Sequence, residues 1–211
     1  MIYSENILIC IAMPLLIALF FTKENTKRFL TAFLMGMLVC LLSAYISGFV
    51  NYLTGIGRDD MAIYYSPVIE EIMKLLPLLF YMFVLAADGN RMYTASIGIG
   101  LGFATFENCC YILSVGSMNL TYVLVRGLAV GVMHLVCSLA LILGLNLSRH
   151  FKVLTVAGVI GAISMPMIFH GLYNLLVSEE GASTYFGYFL PLITALLMFV
   201  PFKRMRESAG N

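Results

Sequence analysis

Charge is what this sequence has least of. Asp, Glu, Lys and Arg make up 11% of the 211 residues, while 61% are hydrophobic; an ordinary soluble domain carries about 25% charged residues. So little polar material cannot cover the surface of a soluble domain, and a disordered chain is excluded on the same ground. Neither sign is in excess. The net charge of +1 leaves no basic footprint for nucleic acid. No C-x-x-C occurs, and the five cysteines (Cys10, Cys40, Cys109, Cys110, Cys137) all sit inside apolar runs. An odd number so placed suggests neither a disulfide framework nor a thiolate zinc site, and the cysteines read as small buried apolar residues. No linker or internal repeat is visible, so the chain reads as one domain over 1–211, without the repeat signature of many transporters.

What the sequence has instead is apolar runs of membrane length. Seven are legible, at roughly 7–21, 29–53, 62–87, 92–117, 120–147, 153–177 and 185–202. All but the first and last exceed the ~20 residues that cross the hydrocarbon. The runs are continuous rather than alternating, which predicts helices and not a barrel. The expected fold class is therefore all-α: a polytopic membrane helix bundle of about seven transmembrane helices. The residues before the first run, MIYSEN, carry Glu5 and no Lys or Arg, so that run reads as a span and not as a signal peptide. Lys23, Lys27, Arg28, Arg91, Arg149, Lys152, Lys203, Arg204 and Arg206 fall on one side and only Arg58 on the other. Nine against one places the N-terminus outside and the C-terminus in the cytoplasm.

Against this background the ionisable residues inside the spans stand out. The third carries Glu70, Glu71 and Lys74, the fourth Glu107, the fifth Arg126 and His134, and the sixth His170 with Asn174. Each charge at mid-membrane costs ~2.5–3.5 kcal/mol on insertion scales, and such groups mark function by default. Glu70 and Lys74, one turn apart with the acid first, form the expected ion pair; Glu71 then needs another partner. Arg126 lies near the outer end of its span, where it can snorkel. With the orientation above, Glu70 and Glu71 lie roughly 10 Å and Glu107 roughly 15 Å below the outer face at 1.5 Å per residue. His170 lies at a similar depth and His134 deeper. One water-accessible cavity opening outward is the simplest explanation of that agreement.

Two histidines and a carboxylate suffice to hold zinc with a fourth position open, and a second carboxylate can act as base on a water. No H-E-x-x-H occurs, so this is not a zincin pattern. A Glu/His pair can also activate water without metal, and the residues alone leave both mechanisms open.

At these positions the chain resembles the PrsW-type intramembrane proteases, a branch of the superfamily that includes CAAX prenyl proteases and bacteriocin-immunity proteins. The motifs are E-E-x-x-K at Glu70 to Lys74, F-x-x-x-E at Phe103 to Glu107, a lone His134 on the next helix, and H-x-x-x-N at His170 to Asn174. They fall one per consecutive helix, within a core of about 64–177. The resemblance implies a helix bundle around a conical cavity, and peptide-bond hydrolysis in or near the membrane. The implied substrate is a single-pass membrane protein, an anti-sigma factor cut at its first site in envelope-stress signalling, in a bacterial plasma membrane. By carry-over, Glu70 and Glu71 supply the general base, Asn174 stabilises the oxyanion, and Glu107, His134 and His170 hold a metal, zinc being the candidate, or polarise the substrate. The CAAX branch has an Arg one position later in the first motif and a His where Glu107 stands, so this chain departs from prenylated-peptide processing.

Two other classes compete: a transporter or channel using the buried Glu and His groups, and a non-catalytic immunity or scaffold protein. A retinal photoreceptor is excluded, because the last span has no Lys for a Schiff base. Gly98, Gly100 and Gly102, with the Gly127–Gly131 pair, are expected at close helix contacts. Pro67 is expected to kink or widen the third span ahead of Glu70. Asp88–Arg91 reads as a tight turn.

Overall fold

The computed structural model describes residues 4–85, 89–115, 120–150 and 155–208. Every described element is helical. The elements are α1 (Ser4–Phe21), α2 (Glu24–Thr54), the short α3 (Arg58–Asp60), a π-turn (Met61–Tyr65), α4 (Ser66–Phe83), α5 (Gly89–Val115), α6 (Leu120–His150), α7 (Thr155–Ser178) and α8 (Ala182–Ser208). Because α3, the π-turn and α4 run on without a break, the described residues form seven rods, one for each apolar run. The expected turn at Asp88–Arg91 is different: Gly89–Arg91 already belong to α5, and Asp88 lies outside the described residues. Gly55 ends α2 and Gly181 stands between α7 and α8, both with positive φ (66° and 76°), the conformation glycine adopts without steric cost.

Helices α2, α5, α6 and α7 each contain a stretch long and apolar enough to cross a membrane. Helix α4 does not meet that standard, because Glu70, Glu71 and Lys74 interrupt it. Its pattern is inverted relative to a helix in water. Glu71, Lys74 and Leu78 are wholly buried, whereas Ile72, Leu76, Phe80 and Phe83 are exposed. Apolar exposure on this scale, continued at Phe49, Leu124, Ile160, Ile168, Leu196 and Leu197, suits a lipid environment and not water.

Helices α2 and α5 make the most extensive interface in the bundle. Glycine sets its spacing. A Cβ on Gly36 would strike the backbone of Ile99, one on Gly102 the backbone of Phe33, and one on Gly98 would lie 2.7 Å from Ala32 Cβ. Gly100 does the same toward α6, where a Cβ would lie 2.9 Å from the His134 carbonyl oxygen. The expectation for these glycines holds. It fails for Gly127 and Gly131, where an added Cβ meets nothing within 4 Å. Small residues permit close packing, but at these two positions nothing lies close enough to require one.

An apolar cluster from five helices, including Ala32, Leu78, Ile99, Leu141 and Ala162, fills the bundle beside α5's N-terminal half. Toward the opposite end the centre turns polar.

Candidate active site

The π-turn prepares the way into that polar centre. In its register the Ser66 amide bonds to the Met61 carbonyl, five residues back. The same register would assign the Ala62 carbonyl to the amide of residue 67, and Pro67 has none. Asn174 supplies the missing donor: its Nδ2 donates to the Ala62 carbonyl at 2.9 Å. Gly171, one turn before, lets α7 come close, since a Cβ there would sit 3.3 Å from the Ile63 carbonyl. The widening expected near Pro67 is therefore real, and it precedes the proline.

Below the π-turn, α4 delivers three charges. Lys74 Nζ donates to Glu71 Oε1 at 2.5 Å, with both side chains wholly buried. This differs from the expected Glu70–Lys74 pair. Glu71, one residue on, carries the lysine, and Glu70 is left to face the histidines. Lys74 Nζ also lies 2.9 Å from His134 Nδ1. An ammonium has only donors, so Nδ1 accepts and the ring's Nε2–H donates to Glu107 Oε2 at 2.5 Å. The other oxygen of Glu107 takes a contact from Arg126 Nη2 at 3.4 Å. Arg126 lines the cavity described below. Its guanidinium stacks 3.4 Å above the Tyr111 ring and is 12% exposed.

His170 completes the cluster. Its Nδ1–H donates to Glu71 Oε1 at 2.9 Å, and its Nε2 lies 3.8 Å from Glu70 Oε2. The two imidazoles meet edge to face, 5.0 Å between centroids. Phe103 packs 4.7 Å from His134 and lies under the Lys74 ammonium at 4.8 Å. That explains the four-residue step from Phe103 to Glu107. One turn of α5 presents a ring to the face of His134 and a carboxylate to its Nε2.

One ligand atom each from Glu70, His134 and His170 lie within 4.8 Å of one another. Glu70 Oε2 is buried without a hydrogen-bond partner, and such an atom calls for an explanation. Oxygen plus two imidazole nitrogens is a zinc-type donor set; Glu70 Oε2 and His170 Nε2 are free to ligate, whereas His134 fits a divalent metal only on giving up the Nε2 proton it donates to Glu107. Glu70 and Glu107 both line a cavity of about 360 Å³ that also touches Asp59, Tyr173, Asn174 and Ser178. Asp59 and Ser178 mark the end of the bundle where α3 begins and α7 stops, so the cavity connects the cluster with that end. Glu71 does not line it.

All six residues expected from the sequence thus meet in one region. Arg126 and Tyr173 also face the cavity and were not anticipated. Arg126 was legible only as a charge within a span, and Tyr173 only by its place inside H-x-x-x-N.

A helical bundle that gathers two histidines, three glutamates and a lysine beside a cavity lined by two of those glutamates has the makings of a membrane-embedded hydrolytic enzyme. Comparison with known families makes this specific. The model of the PrsW family of intramembrane metalloproteases matches residues 24–202, and the chain belongs to that family. It is an intramembrane protease and a multi-pass membrane protein. No curated relative and no solved structure matches it.

Proposed function

We propose that the protein is a metal-dependent endopeptidase that cuts a single-pass membrane protein from the outer half of a bacterial plasma membrane. The observation that carries this reading is the buried group formed by Glu70, His134 and His170, of which Glu70 lines a cavity that ends at the bundle surface. Seven spans with the N-terminus outside are proposed with it. Seven rods match the seven apolar runs, and the nine-to-one bias of Lys and Arg puts the cavity mouth, marked by Asp59 and Ser178, on the outer face. The kinship favours an anti-sigma factor as the substrate, cut first in an envelope-stress cascade.

Glu70, His134 and His170 would hold the metal, with zinc as the candidate; His134 would join by exchanging its Nε2 proton and its Glu107 contact for the ion, with Lys74 moving off Nδ1. Bound there, a divalent ion supplies a Lewis acid for the scissile carbonyl and lowers the pKa of a water. Glu71 fixes the His170 ring by accepting from Nδ1–H, as a carboxylate commonly does behind a metal-binding histidine. Lys74 in turn holds Glu71. Glu71 is thus a positioning residue, its Oε1 held by both Lys74 and His170. Glu107 is the better base: it lines the cavity and its side chain is 31% exposed. It takes the proton of the attacking water as the carbon–oxygen bond forms. It returns that proton to the leaving amine as the carbon–nitrogen bond breaks. Compared with the expectation from sequence, Glu70 and Glu107 exchange roles, and Asn174 anchors the π-turn.

Elemental mass spectrometry of detergent-purified protein, beside cleavage of a single-pass substrate, tests this. The expected result is about one zinc per chain, lost in Glu70→Gln and His170→Ala. Glu107→Gln should keep its metal and lose cleavage. Metal retained in Glu70→Gln and lost in Glu107→Gln would restore Glu107 as the ligand. Cleavage by protein free of metal would leave a glutamate-activated water as the mechanism.

A further inference from the structure

Two hydrogen-bond donors on the cavity wall have nothing to donate to. The Tyr173 hydroxyl and Arg126 Nε are both buried without a partner, and both residues line the cavity with Glu70 and Glu107. Tyr173 is only 2% exposed, and its ring packs among Ala104, Ala129, Val130, Met133 and Cys137. Buried polar groups are nearly always paired. A phenol held rigidly by its ring with an unpaired O–H is therefore poised for an acceptor that arrives from outside. Glu70 and Glu107 share the cavity with Arg126, so an acceptor that enters uncharged and develops its charge in place suits it. A peptide carbonyl meets that condition.

We propose that Tyr173 is a catalytic residue: its hydroxyl donates a hydrogen bond to the oxygen of the scissile carbonyl and stabilises the negative charge that builds there. The phenol keeps its proton throughout. This assignment rests on the protease reading above. It takes over the role that the sequence suggested for Asn174, which spends an Nδ2 hydrogen on the Ala62 carbonyl. Arg126 Nε is the second donor, suited to a neighbouring carbonyl of the bound peptide.

Tyr173→Phe tests the proposal with two readouts. The ring and its packing remain, and only an unpaired hydroxyl is lost. The variant should melt at or above the wild-type temperature in detergent and keep its metal, while kcat for a single-pass substrate falls about 10²–10³-fold with KM little changed. A lower melting temperature would show that the hydroxyl is spent inside the fold, which overturns the assignment whatever the activity. Wild-type cleavage rates in Tyr173→Phe would overturn it too, while leaving the protease reading intact. If wild-type protein neither cleaves nor binds metal, the protease reading falls and this assignment falls with it.

Discussion

The α2–α5 interface and the polar centre shared by α4, α5, α6 and α7 are built on opposite principles. The first is assembled from glycine and apolar side chains, with backbone lying against backbone at Gly36, Gly98 and Gly102. The second is assembled from charges: Glu71, Lys74, His134, Glu107 and His170 linked in one chain of hydrogen bonds. Inside a membrane no hydrophobic force draws one helix to another, so close van der Waals contact is what holds a bundle together. The glycine interface meets that need directly. The charged centre contributes little that apolar residues could not provide, since replacing a buried ion pair by well-packed apolar residues is often neutral or stabilising. A rigid wall supports the site, and the site is retained for its chemistry.

That contrast can be broken most severely in the polar region. Lys74→Met takes away the cation paired with the Glu71 carboxylate, and breaking a buried pair from one side costs about 3–5 kcal/mol. A large fall in melting temperature, together with loss of cleavage, is expected. A stable Lys74→Met protein would mean that Glu71 is not charged in the fold. The next effect belongs to the glycine wall. Gly102→Ala drives a methyl group into the Phe33 backbone, and overpacking of this kind costs about 1–3 kcal/mol. Helix separation measured by cysteine crosslinking between α2 and α5 should report it. Asn174→Ala should follow at about 1–3 kcal/mol, the cost of an orphaned carbonyl at Ala62. Its activity should decline in step with stability, because Asn174 anchors the π-turn in this reading. A collapse of kcat at unchanged stability would return it to the oxyanion role. The smallest effect sharpens the comparison. Gly131→Ala makes the same chemical change where an added Cβ meets nothing within 4 Å and should be neutral, or up to about 1 kcal/mol stabilising through helix propensity.

Much of the architecture was legible in the sequence. Seven apolar runs became seven rods, because in a membrane a backbone can satisfy its own hydrogen bonds only within a helix or a closed barrel. The site was legible as an inventory for a related reason. A charge inside a span is costly enough that Glu70, Glu71, Lys74, Glu107, His134 and His170 announce themselves. Pairing was not legible. Glu70 and Glu71 are adjacent, and spacing alone favoured Glu70 for Lys74; the i, i+3 geometry and the position of α7 gave the lysine to Glu71. Tyr173 was invisible, since a tyrosine in a membrane span is ordinary until its hydroxyl is seen to lack a partner.

The sequence by itself determined that this protein is helical, polytopic and charged at its centre, because hydropathy is local and each apolar run specifies its own helix. Only the tertiary structure decided which carboxylate faces the histidines, which one braces them, and which donors stand open to the cavity. Those assignments depend on how four helices rotate about their axes and approach one another. That is a property of the packed bundle, set by residues as distant as the glycines of α5 and the π-turn before Pro67.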